Sequence, residues 1–151
     1  MSIIAAYMVP HPPMIIPQVG RGSEKQIQKT IEAYRKVANE IASLNPETII
    51  VSSPHSVMYT DYFHISPGKE AFGDFANFRA KEVSFHEIYD EELVQSICSL
   101  AEQEDFPAGT LGQRDARLDH GTMVPLYFIR QVCSDFRLVR IGLSGLPQIG
   151  R

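Results

Sequence analysis

Residues 3–9, Ile-Ile-Ala-Ala-Tyr-Met-Val, make a near-continuous apolar run, the pattern of a strand covered on both faces in a parallel sheet. Pro10-His11-Pro12-Pro13 ends it, because proline has no amide donor and fixes φ. The period then changes. Ser23 and Gln26 have the spacing of a capping box, and Ile27, Ile31, Tyr34, Ala38 and Ile41 recur at intervals of four and three. That places one apolar stripe on a helix over about 24–44, closed by Asn45-Pro46. Residues 48–53, Thr-Ile-Ile-Val-Ser-Ser, are a second β-branched run. Strand, helix and strand in this order predict a βαβ unit with parallel strands and a right-handed crossover.

The second half is less regular. Residues 61–66 and 82–88 are weaker strand candidates, and the Gly/Phe/Asp-rich stretch 68–78 between them reads as a long loop near the functional face. A helix is expected over 91–104, with Leu93, Val94, Ile97, Leu100 and Ala101 on its buried side. Residues 107–118 are turn-rich, 121–132 have helical spacing, and 136–144 form a third strong strand candidate. No repeat or linker divides the chain. The expected class is α/β, a mostly parallel central sheet flanked by helices, in a single domain over 1–151.

Composition narrows the function. The 151 residues are 44% hydrophobic and 21% charged, as in ordinary soluble domains, with a formal net charge of -4. Lys and Arg are scattered, so no footprint for a nucleic-acid backbone exists. The apolar opening has no basic leader and is far shorter than the roughly 20 residues a membrane span requires. Cys98 and Cys133 stand alone, the usage of a reducing cytoplasm, and both read as small buried core residues. There is no phosphate loop around Gly20-Arg21-Gly22 and no GxSxG around any serine, so neither a nucleotide fold nor a serine hydrolase is supported.

The histidines carry the chemistry. Ligands of open α/β sheets gather at the carboxyl ends of strands, and His11 and His55 each follow a predicted strand in a loop stiffened by proline. Either alone reads more readily as a loop histidine bonded to backbone; together they can converge on one ion of the kind that takes nitrogen ligands. No carboxylate stands at an obvious strand end of the first half to complete a facial triad. His120, beside Asp119 and just before a helix, suits a general acid or base oriented by that carboxylate. Equally, Asp119 is an N-cap and His120 merely the first turn. His64 and His86 lie inside strand-like runs and read as structural. Tyr59, Tyr62, Phe63, Phe72, Phe75 and Phe78 are either core or the lining of a pocket for a ring.

Three motifs occur here in a telling order: Pro10-His11-Pro12-Pro13, then Ser53-Pro54-His55, then Leu118-Asp119-His120-Gly121-Thr122-Met123-Val124-Pro125-Leu126. In that order they resemble the class III, LigB-type, extradiol ring-cleavage dioxygenases over essentially the whole chain to about Pro147. The nearest likeness is to the N-terminal dioxygenase-like domain of AmmeMemoRadiSam system protein A, in a grouping that includes the Memo-like proteins. The resemblance implies that His11 and His55 ligate the metal, Fe(II) in the first place with Zn(II) as the other option. It implies that His120 faces substrate or oxygen without binding the metal, and that the substrate is a small catechol-like aromatic.

Length departs from the family pattern. The third metal ligand and a further catalytic histidine of the family come from a C-terminal half, and no residue here matches them. The chain therefore reads as the N-terminal part of such a domain, with weak Fe(II) binding and its activity as an enzyme left open. A last strand without full cover should leave apolar surface exposed, so a homo-oligomer is expected. Two other functions stay in view. One is a non-catalytic metal-binding or interaction module of the Memo kind; the other is a Zn(II) hydrolase using the same two histidines.

Overall fold

The computed structural model describes residues 2–112 and 115–147. In chain order its elements are α1 (Pro17–Gly20), α2 (Gln28–Leu44), β1 (Thr48–Ser53), β2 (Phe63–His64), β3 (Glu70–Phe75), β4 (Ala80–Ile88), α3 (Glu91–Gln103), β5 (Ala108–Gly109), α4 (His120–Ile129) and β6 (Arg137–Gly142). The β-branched run at 48–53 is a strand as expected, and its partner is β6. The two run parallel from Thr48 opposite Arg137 to Ser53 opposite Gly142. β2 and β5 make a second parallel pair, and β3 and β4 an antiparallel hairpin. Bridges from Ile65 to Ile141 and from Tyr89 to Leu138 tie the pieces together, giving a mixed α/β architecture.

Alternation along β6 sets the layers. Leu138 points into the main core, with Ile31, Tyr34 and Ala38 of α2 and Met123, Val124, Leu126, Phe128 and Ile129 of α4. Its neighbour Val139 points the other way, to a smaller cluster with Ile65 and Val94 of α3. α4 is apolar on nearly every side, so it packs as a core helix, with eight of its ten residues buried. α3 begins at Asp90, whose side chain accepts from the Leu93 amide at 3.1 Å. Here the cap and the apolar spacing agree on the helix start.

Several expectations need correction. Residues 3–9 are not a strand: Ile3 is 84% exposed and Met8 fully so. No backbone–backbone hydrogen bond reaches this stretch among the described residues. The βαβ unit therefore does not form; β1 finds its parallel partner in β6 instead. Ser23 and Gln26 make no capping box. Ser23–Ile27 is a 3-10 turn without a side-chain cap, and the Gly22 amide donates to Glu24 instead. The stretch 68–78 holds β3, because Ala71, Gly73 and Phe75 alternate inward on a half-buried strand. On α3, Leu100 is 58% exposed, having turned away from the cluster that holds Val94. Cys98 and Cys133 are half-buried at the edges of the two cores and not fully inside. No helix among the described residues is long and apolar enough to cross a membrane.

Candidate metal centre

Three loops meet at the carboxyl end of β1. The loop carrying His11 is pinned at both ends. Before it, the Tyr34 hydroxyl of α2 donates to the Pro10 carbonyl. After it, the turn Pro13–Ile15 buries Ile15 and Ile16 almost completely. Tyr34 itself stacks on Phe128 of α4 at 4.4 Å between centroids, so the position of this loop is inherited from the helix core. His55 follows Ser53, the last residue of β1, and its amide donates to the Ser53 hydroxyl at 3.2 Å. His120 is the first residue of α4, directly after the N-cap Asp119.

The three imidazoles converge. Ring centroids of His11 and His55 are 4.9 Å apart, those of His55 and His120 3.9 Å, and those of His11 and His120 6.0 Å. The Nε2 atoms of His11 and His55 lie 2.9 Å from each other. One ring nitrogen of each histidine lies within 4.8 Å of the other two, with His55 exposed and the others half-buried. Two imidazole nitrogens bound to one ion at about 2.0–2.1 Å, with bonds at 90–109°, stand roughly 2.9–3.4 Å apart. The residues present therefore fit a divalent transition metal. That cluster contains no carboxylate, and among the described residues it is the grouping with metal-compatible spacing.

The electrostatics differ within the site. Burial pushes the His120 imidazole below its ordinary value, the nearby His55 and His11 push the same way, and Asp119 offsets only part. His120 is thus kept neutral more readily than a free histidine, with a lone pair to offer. Burial alone would raise Asp119. It is instead held below the usual carboxylate range by the Ser53 hydroxyl, the Arg140 guanidinium and Thr122. Phe78 closes one side of the site, its ring edge-on to His120 at 5.4 Å.

The remaining histidines stay out. His64 is buried near Tyr59, and His86 sits on the β3–β4 hairpin, bonded to Glu70 at 2.7 Å and stacked on Phe72. Of the aromatic scatter, Phe78 packs against a site histidine, Phe75 is core, and Phe63 stacks on Phe106. Sequence reasoning missed Ser53, Gly121 and Arg140. The available signal was Arg140 itself, a charge within the apolar run Leu-Val-Arg-Ile, only 2% exposed in the fold.

Residues 5–150 match the family model described as the catalytic LigB subunit of aromatic ring-opening dioxygenase. The chain belongs to the LigB family. Protein CA_C1420 of Clostridium acetobutylicum is 38% identical over 157 residues, covering 99% of this chain and 33% of that protein. The beta subunit of 2-aminophenol 1,6-dioxygenase from a Pseudomonas species is 25% identical over 155 residues, covering 97% of this chain and 50% of its own. This LigB chain thus spans between a third and a half of the relatives it matches, and its three converging histidines all lie within the matched segment.

Proposed function

We propose that this LigB domain holds Fe(II) through His11 and His55 and serves the oxidative ring opening of a catechol-like aromatic, with His120 handling protons. The observation that carries this reading is the 2.9 Å approach of the His11 and His55 Nε2 atoms, with the His120 ring tilted against that of His55 at 3.9 Å between centroids. The ion, when bound, supplies a template for substrate and oxygen and a path for electrons between them.

The chain's own residues do the rest. His11 and His55 must present neutral imidazoles, and the loops that carry them are fixed by Tyr34 and by Ser53. His120, kept neutral by burial and by its neighbours, can accept a proton from a substrate hydroxyl. Phe78 offers an apolar edge against which an aromatic ring can lie and displace water. The 2-aminophenol enzyme among the relatives makes an aminophenol a sensible second substrate beside catechol.

A second reading is favoured by one observation. The histidine cluster lacks a carboxylate, and Asp119, beside His120 in the chain, already accepts from Ser53, Thr122 and Arg140. A three-imidazole site of this kind suits a metal-binding or interaction module of the Memo-like, AmmeMemoRadiSam kind, in which His120 becomes a third ligand. The open apolar stretch 3–9 further supports self-association.

Elemental analysis of anaerobically purified protein tests the metal. Iron that disappears in His11→Ala/His55→Ala is expected; equal metal in both proteins would refute the ligand assignment. Oxygen uptake with catechol or 2-aminophenol then supports the dioxygenase reading. Firm metal binding without any uptake, and loss of metal in His120→Ala, would support the second.

A further inference from the structure

Asp119 does more than cap a helix. An N-cap needs one oxygen to accept from an amide of the first turn, and here Oδ1 accepts from the Thr122 amide at 3.1 Å. Oδ1 also accepts from the Ser53 hydroxyl at the end of β1. Oδ2 takes the Thr122 hydroxyl at 3.1 Å and the Arg140 guanidinium of β6 at 3.1 Å. Three separate elements therefore meet on one carboxylate. Ser53, 1% exposed, gives its single proton to Asp119 and accepts the His55 amide on a lone pair. Arg140 also donates to the carbonyls of Asp115 and Arg117, at 3.3 and 2.9 Å, so the loop before α4 hangs from the sheet.

The junction leaves no slack. A Cβ on Gly121 would stand 2.4 Å from the Ser53 hydroxyl oxygen, 3.1 Å from Asp119 Oδ1 and 3.1 Å from the His55 ring. Glycine is what allows the start of α4 to close onto the end of β1.

We propose that Asp119 is the positioning residue of the site: through Ser53 it ties the His55 loop to the helix start that carries His120, while Arg140 holds the carboxylate in place. It acts through the main chain of both histidines. The spacing of the two rings is then set before any ion arrives. The size of its effect on metal binding rests on the metal reading above; its effect on ring spacing does not. Partners of this kind, one step removed from the ligands, typically change metal affinity 10–100-fold when lost.

The test uses the full chain, with Co(II) as the probe, followed by visible absorption, and proton NOEs between the His55 and His120 rings in metal-free protein. Ser53→Ala cuts the tie while leaving Asp119 paired with Arg140; Asp119→Asn weakens all of it; Asp90→Ala removes the cap of α3, with its bonds to Thr48 and Arg137 at the ends of β1 and β6 away from the histidines. Both site variants are expected to lose the ring-to-ring NOEs and to bind Co(II) about 10–100-fold more weakly. Asp90→Ala should lose stability and keep both signals, which separates positioning from capping. Unchanged NOEs in Ser53→Ala, with Co(II) affinity within about twofold of the parent, would overturn the proposal. If the parent itself binds no Co(II), the metal reading fails and the NOEs alone decide this one. Should Asp119→Asn not fold, Ser53→Ala decides between the two outcomes.

Discussion

Replacing Gly121 with alanine sets two physical effects against each other. Helix propensity alone favours alanine over glycine by about 0.5–1 kcal/mol inside a helix. The structure opposes it, because the new Cβ would sit 2.4 Å from the Ser53 hydroxyl oxygen. Ser53 cannot swing aside freely, being 1% exposed and bonded to both Asp119 and the His55 amide. Overpacking of a filled site costs about 1–3 kcal/mol. Losing a bond to the charged Asp119 costs roughly 1.5–3 kcal/mol if Ser53 is driven off. The strain wins, and a net loss of about 1–3 kcal/mol is expected, which lowers Tm by roughly 2–12 °C in a chain of this size. Urea unfolding monitored by circular dichroism, with the slope checked for constancy, measures it. A Gly121→Ala protein as stable as the parent, or more stable, would refute the close-packed junction.

Other outcomes follow from the same structure. Asp90→Ala should cost about 2–4 kcal/mol by urea unfolding, since it removes the cap of α3 together with the bonds that Asp90 accepts from Thr48 and Arg137; no change in midpoint would count against those contacts. The folded pKa of His120 lies below its ordinary value of 6.5. The unfolded chain therefore binds more protons in that window, and stability should fall as pH drops from above 6.5 through the folded pKa. The difference in urea midpoint between the parent and His120→Gln, followed from pH 8 downward, isolates this contribution; a difference that grows in the opposite sense would reverse the assignment. Ile4→Lys/Met8→Lys should shift the chain toward monomer in sedimentation velocity, because it places charge on the exposed apolar stretch. Identical sedimentation of parent and variant would remove that stretch as the contact.

Much of the site could be read locally. A histidine two residues after an apolar run, another two residues after a β-branched run, and a third after an N-cap aspartate are short-range patterns, and all three rings meet at one place. The helix stripe through Ile31, Tyr34 and Ala38 was equally legible, because a period of three and four depends on no distant residue. Strands 48–53 and 137–142 were visible for the same reason.

Pairing was not. An apolar run records what can be buried, not whether a cover is within reach. Residues 3–9 and 48–53 carry nearly the same signal, yet β1 has β6 beside it while 3–8 lie exposed. Phe75 reads as loop in a Gly/Phe/Asp stretch and becomes core only because β4 returns alongside β3. Arg140 makes the contrast sharpest. By sequence it is a charge interrupting a strand; in the fold it is buried because the Asp119 carboxylate and two loop carbonyls are brought to it from another part of the chain. Local pattern alone placed His55 at the end of a strand, His11 in a proline-bounded loop and His120 at the start of a helix. Tertiary structure decided how far apart their rings are, because that spacing is held by Ser53, Asp119, Gly121 and Arg140, which meet only when β1, β6 and the start of α4 are packed together.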